Sequence, residues 1–185
     1  MNPQIQAALV MHDFFFEDHK LNYAIIGGIA LQFWGEPRFT HDVDITVQDK
    51  LGLDDLVKVT TETFGSRVSD PYQFVKSTRM ILLNVEDVDV DVAIALRSYE
   101  ESLFERSKSF EVEPGRELFI CSAEDLIIHK ALAGRPQDLA DIQSIIYRQG
   151  DSLEVRYIRS WLADFSNALA DDSILDRFEQ AWVKK

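Results

Sequence analysis

Hydrophobic residues recur along this chain with two different periods. Over residues 4–17 they are spaced three and four positions apart, which predicts an amphipathic N-terminal helix. An apolar run over residues 21–26 stops at Gly27-Gly28, after which apolar residues resume as far as Trp34. This order predicts a strand, a glycine turn and a short helix.

A period of two predicts the strands. β-Branched residues alternate with polar ones over 43–47 and again over 88–96, and residues 79–84 precede the second run as its hairpin partner. Two further short strands, 110–112 and 118–121, flank a turn at Pro114-Gly115. Residues 65–72 are predicted to form a connecting loop.

Helical spacing accounts for the rest of the chain. Helices are predicted over 51–64 and 98–107, from Ala123 after the cap residue Ser122, beyond Pro136, and over 153–169 and 174–183. The predicted fold class is α/β (α+β), with a small mixed sheet flanked by helices. We expect one domain over 1–185, with a sheet-containing core at 1–121 and a helical C-terminal part at 122–185.

Composition and charge limit the cellular compartment and the partners that we expect for this protein. The only cysteine, Cys121, cannot form an internal disulfide, and no apolar stretch is long enough to cross a bilayer, so we expect a cytoplasmic protein. The formal charge of −13 disfavours extended wrapping of nucleic acid. It still allows a nucleotide or an RNA end, because bound cations can invert the charge of an acidic pocket.

Acidic residues on two predicted strands are the main chemical signal. Asp42 and Asp44 point to one face of their strand, although an isolated pair of this kind is more often a turn cap and a solvated side chain. Asp89 and Asp91 interrupt an apolar run, where unpaired charge is costly. Mg²⁺ or Mn²⁺ held by Asp42, Asp44 and a third acid would relieve that cost. Asp87, Asp89 and Asp91 share one strand face, and Asp91 is favoured for its deeper apolar flank, with Asp89 as the reserve.

The glycine turn has two interpretations. Glycines between a strand and a helix let backbone N–H groups approach a phosphate at the helix N-terminus. Paired glycines are also common in tight turns that bind nothing.

The arrangement of these motifs resembles a known family. Ile26-Gly27-Gly28, the helix to Trp34 and then Pro37-Arg38-x-Thr40-x-Asp42-x-Asp44 resemble the signature of DNA polymerase β-like nucleotidyltransferases. The version here is similar to the small abortive-infection and toxin-like (MNT-type) members, and the resemblance spans roughly residues 21–146. The later matching positions are Ala123-Glu124-Asp125-Leu126, Lys130, Gly134-Arg135-Pro136, Asp138 and Asp141.

The resemblance implies a role for each matching residue. Gly27 and Gly28 would contact nucleotide phosphates, Asp42 and Asp44 would bind metal, and Asp91 would be the third acid. Gly28 stands where the commonest family form has serine. We therefore expect Gly28→Ser to weaken nucleotide binding less than Gly28→Val.

Three basic residues are candidates for binding the nucleotide. Lys130 would reach the triphosphate, although an exposed lysine on an amphipathic helix is the commoner case. Arg38 and Arg135 rank lower, since Arg38 could pair with Glu36 and Arg135 with Asp138.

The expected function is metal-dependent transfer of a nucleoside monophosphate from a nucleoside triphosphate to a hydroxyl or phosphate. The acceptor could be a tRNA end, a protein or a small molecule, in a toxin–antitoxin or phage-defence setting, with a protein partner at the C-terminal helices. One alternative is a non-catalytic nucleotide-binding or antitoxin-like module. A two-metal phosphodiesterase or nuclease ranks last, because it gains little from the glycine turn.

Overall fold

The computed structural model describes residues 2–95 and 97–183. Within them, the strands are β1 Tyr23–Ile25, β2 Asp42–Val47, β3 Met80–Val85, β4 Val88–Ile94, β5 Lys108–Glu113 and β6 Arg116–Ile120. They form one mixed sheet in the order β3-β4-β2-β1-β6-β5. The pairs β2/β4 and β1/β6 are parallel, and the other neighbouring pairs are antiparallel.

Helices make up most of the remaining described chain. They are α1 Pro3–His12, α2 Gly27–Trp34, α3 Leu53–Phe64, α4 Pro71–Thr78, α5 Arg97–Arg106, α6 Ala123–Ala133, α7 Pro136–Gln149, α8 Val155–Leu169 and α9 Ser173–Val183. A π-helical segment, Asp13–Asp18, continues α1. In the described part of the chain, no helix combines the length and apolar character that crossing a membrane requires.

The two faces of the central strands differ in chemistry. Val43, Ile45 and Val47 of β2 alternate with Asp42, Asp44 and Thr46, and β4 shows the same alternation of buried valines with acids. The valine and isoleucine side chains are fully buried in the core, where α1 packs against both strands. The acids therefore share the opposite face of the sheet.

The predicted fold class is confirmed, and the strand predictions agree with the structure to within a few residues. The hairpin β3–β4 turns through Glu86 and Asp87, both at positive φ, which is the geometry a two-residue hairpin requires. Ser122 caps α6 by accepting a hydrogen bond from the Asp125 N–H, as its position predicts.

One expectation needs correction. Residues 71–78, partly assigned to a connection, form α4, which Asp70 caps and Pro71 begins. The C-terminal helices α8 and α9 pack on α6 and α7, and α6 in turn packs on α2.

Candidate active site

Four carboxylates lie side by side on the two parallel central strands. In the register of β2 and β4, Asp42 is the partner of Asp89, and Asp44 is the partner of Asp91. Neighbouring strands are about 4.8 Å apart, so each pair shares one patch of the sheet surface. The structure thus brings together the acids that the sequence pattern selects.

Among these carboxylates, Asp44 has the most strongly shifted pKa. Burial raises its pKa to about 6, and the charges of Asp42 and Asp91 act in the same direction. Lys130 and a hydrogen bond from the Gly28 backbone N–H oppose the shift. An acidic group held at this cost is typical of a site that takes a cation.

The glycine turn lies directly over the first residues of β2. Gly27 has φ +61°, and a Cβ atom there would overlap the Asp44 carboxylate. Only glycine therefore satisfies both the backbone angle and the close approach.

Gly28 faces Thr40 instead. A Cβ atom at position 28 would lie 2.6 Å from Thr40 Oγ1 and 2.7 Å from Thr40 Cβ, so a serine requires Thr40 to move. The Thr40 hydroxyl donates a hydrogen bond of 2.7 Å to Asp42 Oδ1. A threonine hydroxyl thus fills the space beside the helix N-terminus and orients one carboxylate.

Arg67 covers the remaining two acids. Its backbone N–H bonds to the Leu82 carbonyl at 3.0 Å, which fixes the loop before α4 against the edge strand β3. Its guanidinium donates to Asp89 at 3.0 Å and also to Asp91. Burial nevertheless raises the pKa of Asp91, against the opposing effect of Arg67.

Lys130 is not the exposed helical lysine that its pattern favours. It is almost fully buried, and its Nζ lies 2.6 Å from Asp141 Oδ2 and 3.2 Å from Asp138 Oδ1. Burial acts to raise the pKa of Asp138, but bonds from Arg135 and the charge of Lys130 hold it below its usual value.

The two arginines complete this ionic network. Arg38 pairs with Asp141 at 3.1 Å rather than with Glu36, and Arg135 pairs with Asp138 at 2.7 Å. Three cations thus share two carboxylates, leaving one net positive charge. The bond to Asp138 is the main cause that raises the pKa of Arg135, and the charge of Asp44 acts in the same direction. The network and the acidic patch therefore influence each other electrostatically.

The residues present fit a magnesium ion that is shared with a substrate. Among the described residues, no three His, Cys, Asp or Glu side chains already converge as a metal cage. Asp91 is bonded to Arg67, which leaves Asp42 and Asp44 as the available pair. Mg²⁺ typically takes one or two carboxylates and completes its shell with water and substrate phosphates, so this pair is sufficient.

Two residues of this site were missed by the sequence reasoning. Thr40 does carry a local signal, because a hydroxyl two residues before Asp42 can position that carboxylate. Arg67 carries no local signal, because the contact with Asp91 spans 24 residues and depends on how the loop returns to β3.

Comparison with known families gives one match that spans most of the chain. A family described as "Nucleotidyltransferase of unknown function (DUF6036)" matches residues 7–184. We found no match among curated proteins.

Solved structures share the fold. The solution structure of the antibiotic-resistance factor ANT(2'')-Ia matches with a TM-score of 0.60 and 18% identity, over 91% of this chain and 97% of that one. A crystal structure of ANT(2'')-Ia with adenylyl-2''-tobramycin matches with a TM-score of 0.54 and 19% identity, over 89% and 96% of the two chains. The crystal structure of an antigenic nucleotidyltransferase-like protein from Paracoccidioides brasiliensis matches with a TM-score of 0.54 and 18% identity, over 94% of this chain and 92% of that one.

Proposed function

The chain belongs to the nucleotidyltransferase family DUF6036, and from that premise we propose that it transfers a nucleoside monophosphate from a nucleoside triphosphate to an acceptor hydroxyl or phosphate. Pyrophosphate is the second product. The observation that carries this proposal is the placement of Asp42, Asp44 and Asp91 on one sheet face beside the N-terminus of α2.

Each part of the patch has a chemical role in this proposal. Asp42 and Asp44 hold Mg²⁺ or Mn²⁺, with Thr40 fixing the orientation of Asp42. When bound, the ion neutralises charge that develops on the phosphoryl oxygens. Asp91 accepts the proton of the attacking hydroxyl, and its raised pKa brings it closer to that task.

The phosphates lie, in this account, against positive potential from two sources. Backbone N–H groups in the first turn of α2, which begins at Gly27 and Gly28, would point toward them, apart from the Gly28 N–H that bonds to Asp44. Lys130 and Arg38 contribute as well, through the net charge of their network with Asp138 and Asp141. Most of the rate then comes from alignment and charge stabilisation.

The identity of the acceptor is the open part of the proposal. The ANT(2'')-Ia complex contains adenylyl-2''-tobramycin, which supports a small-molecule hydroxyl as one acceptor class for this fold. A tRNA end and a protein hydroxyl are the others, in a toxin–antitoxin or defence setting. A protein partner would meet the C-terminal helices, where Leu169 and Val183 are exposed.

Label position tests this function directly. The protein is incubated with Mg²⁺, a cell extract and each nucleoside triphosphate labelled at either the α- or the γ-phosphate. We expect the α-label in RNA, protein or small-molecule fractions and the γ-label in pyrophosphate. Transfer of the γ-label would identify a kinase, and binding of a triphosphate without turnover would favour a non-catalytic nucleotide-binding module.

A further inference from the structure

A cavity of about 240 Å³ lies on the same sheet face as the carboxylates. Its lining includes Thr46 and Ala93, each two residues beyond an acid, Asp44 in β2 and Asp91 in β4. Side chains two apart in a strand point to the same face, and a strand rises about 3.3 Å per residue. The cavity therefore begins roughly 7 Å from the acidic patch.

The opposite walls of the cavity are apolar and aromatic. Leu103 of α5, Leu132 of α6 and Phe165 of α8 line it together with Tyr99 and His129. The Tyr99 ring centre lies 5.4 Å from that of Phe165 and 5.8 Å from that of His129. Tyr99 meets Phe165 edge to face and is tilted against His129, so the cluster presents ring edges as well as faces to a planar ring.

One contact fixes the ring wall, and the charged residues Arg79 and Glu100 also line the cavity. The Tyr99 hydroxyl donates a 2.8 Å hydrogen bond to the buried carboxylate of Asp125, which fixes the ring. Burial lowers the pKa of His129 to about 4, so its imidazole is neutral at physiological pH. The ring wall itself therefore carries no charge, which suits a neutral heteroaromatic ring.

The direction of a bound triphosphate follows from the glycine turn. Because β1 runs antiparallel to β2, the turn after β1 brings Gly27 over Asp44 and Gly28 against Thr40, near the start of β2. The phosphates at the N-terminus of α2 thus lie at one side of Asp44. Thr46 and the cavity lie at the other side, where the nucleoside must extend.

We propose that this cavity binds the base of the nucleoside triphosphate, stacked against the ring wall of Tyr99, His129 and Phe165. The inference rests on the proposed function and adds to it the place where the nucleoside is recognised. The phosphate part of the substrate would bind at the acids and glycines independently of the cavity.

A variant that fills the cavity tests the base site separately from the phosphate site. Ala93 is half-buried in its lining, and Ala93→Leu adds bulk there without changing an acid. Calorimetry with Mg²⁺ would compare each nucleoside triphosphate with inorganic tripolyphosphate. Ala168→Leu, on an exposed position of α8, is the matched control, and thermal melting checks folding.

We expect the filled variants to lose affinity for nucleotides but not for tripolyphosphate. Affinity of Ala93→Leu for the preferred triphosphate falls at least about tenfold, toward that of tripolyphosphate, because a base–aromatic stack contributes that much. Tripolyphosphate affinity and the control stay unchanged. Leu132→Phe, which fills the cavity from α6, repeats the test if Ala93→Leu does not fold.

Three results would overturn the inference in distinguishable ways. Unchanged nucleotide affinity in the filled variants with loss of transfer would assign the cavity to the acceptor. Wild-type protein that binds triphosphates no more tightly than tripolyphosphate would remove the base site but keep the phosphate site. Wild-type protein that binds neither would end the proposed function as well.

Discussion

Asp44 and Asp91 are direct partners on the parallel strands β2 and β4, and both have pKa values above the ordinary range. For Asp44 the main cause is burial, followed by repulsion from Asp42 and Asp91, and its pKa reaches about 6. A carboxyl with a raised pKa binds its proton more tightly in the folded state than in the unfolded one. The metal-free protein therefore loses stability as pH rises from about 4 through about 6.

The first prediction is that Asp44→Asn stabilises the metal-free protein, by about 1–2 kcal/mol at about pH 8, because it removes the cost of ionisation. The gain should vanish at about pH 4, where Asp44 is protonated. Urea unfolding of wild type and variant at both pH values measures this, with Asp164→Asn on exposed α8 as the control. An equal gain at both pH values would show that charge is not the cause.

The second prediction concerns the contact between Gly28 and Thr40. Gly28→Ser places its Cβ against the Thr40 side chain, so we expect a loss of roughly 1–3 kcal/mol in the free energy of unfolding. Combining it with Thr40→Ala empties that space, and the double variant should recover most of the loss. Denaturant unfolding of both singles and the double measures the coupling, and strictly additive effects would contradict the contact.

Much of this architecture follows from local patterns. The alternation in β2 and β4 predicts both strands and the shared face of Asp42 and Asp44, because strand geometry fixes which side chains point together. The hairpin into β4 follows from its short polar turn. The placement of Asp91 beside Asp44 needed the family resemblance, since no local rule says that β2 and β4 are neighbours.

Other features depend on long-range packing that no local pattern encodes. Lys130 has helical spacing typical of an exposed residue, yet α7 folds back and buries it against Asp138 and Asp141. Helix α4 could have been predicted from the sequence, because Asp70-Pro71 is a helix-start signal. The polar residues before it favoured a connecting loop instead.

The third prediction is that Lys130→Met destabilises the protein strongly. It leaves the carboxylates of Asp138 and Asp141 buried with fewer cations, which costs about 3–5 kcal/mol. Arg135→Ala, whose side chain is 64% exposed, should cost about 1 kcal/mol or less. Urea unfolding compares them, and equal effects would mean that Lys130 is not the centre of the network.

The fourth prediction is that Arg67→Ala tightens metal binding at the acidic patch. Removing the guanidinium frees Asp91 from a competing cation, and we expect Mn²⁺ affinity to rise by roughly fivefold. Electron paramagnetic resonance of free Mn²⁺ measures the change. Arg159→Ala, which breaks a distant exposed pair with Glu179, is the control and should have no effect. Unchanged or weaker binding by the Arg67 variant would show that Arg67 does not compete with the ion.

The most direct test of the account is the rate of α-phosphate transfer in four single variants of the patch. Asp42→Asn, Asp44→Asn and Asp91→Asn should each lose at least about a hundredfold in rate with the fold intact, because the first two remove a ligand of the ion and the third removes the proton acceptor. Asp89→Asn, on the same face but more exposed, should stay within about threefold of wild type. Wild-type rates in the Asp42 and Asp44 variants, or an equal loss in the Asp89 and Asp91 variants, would contradict the assignment of this site.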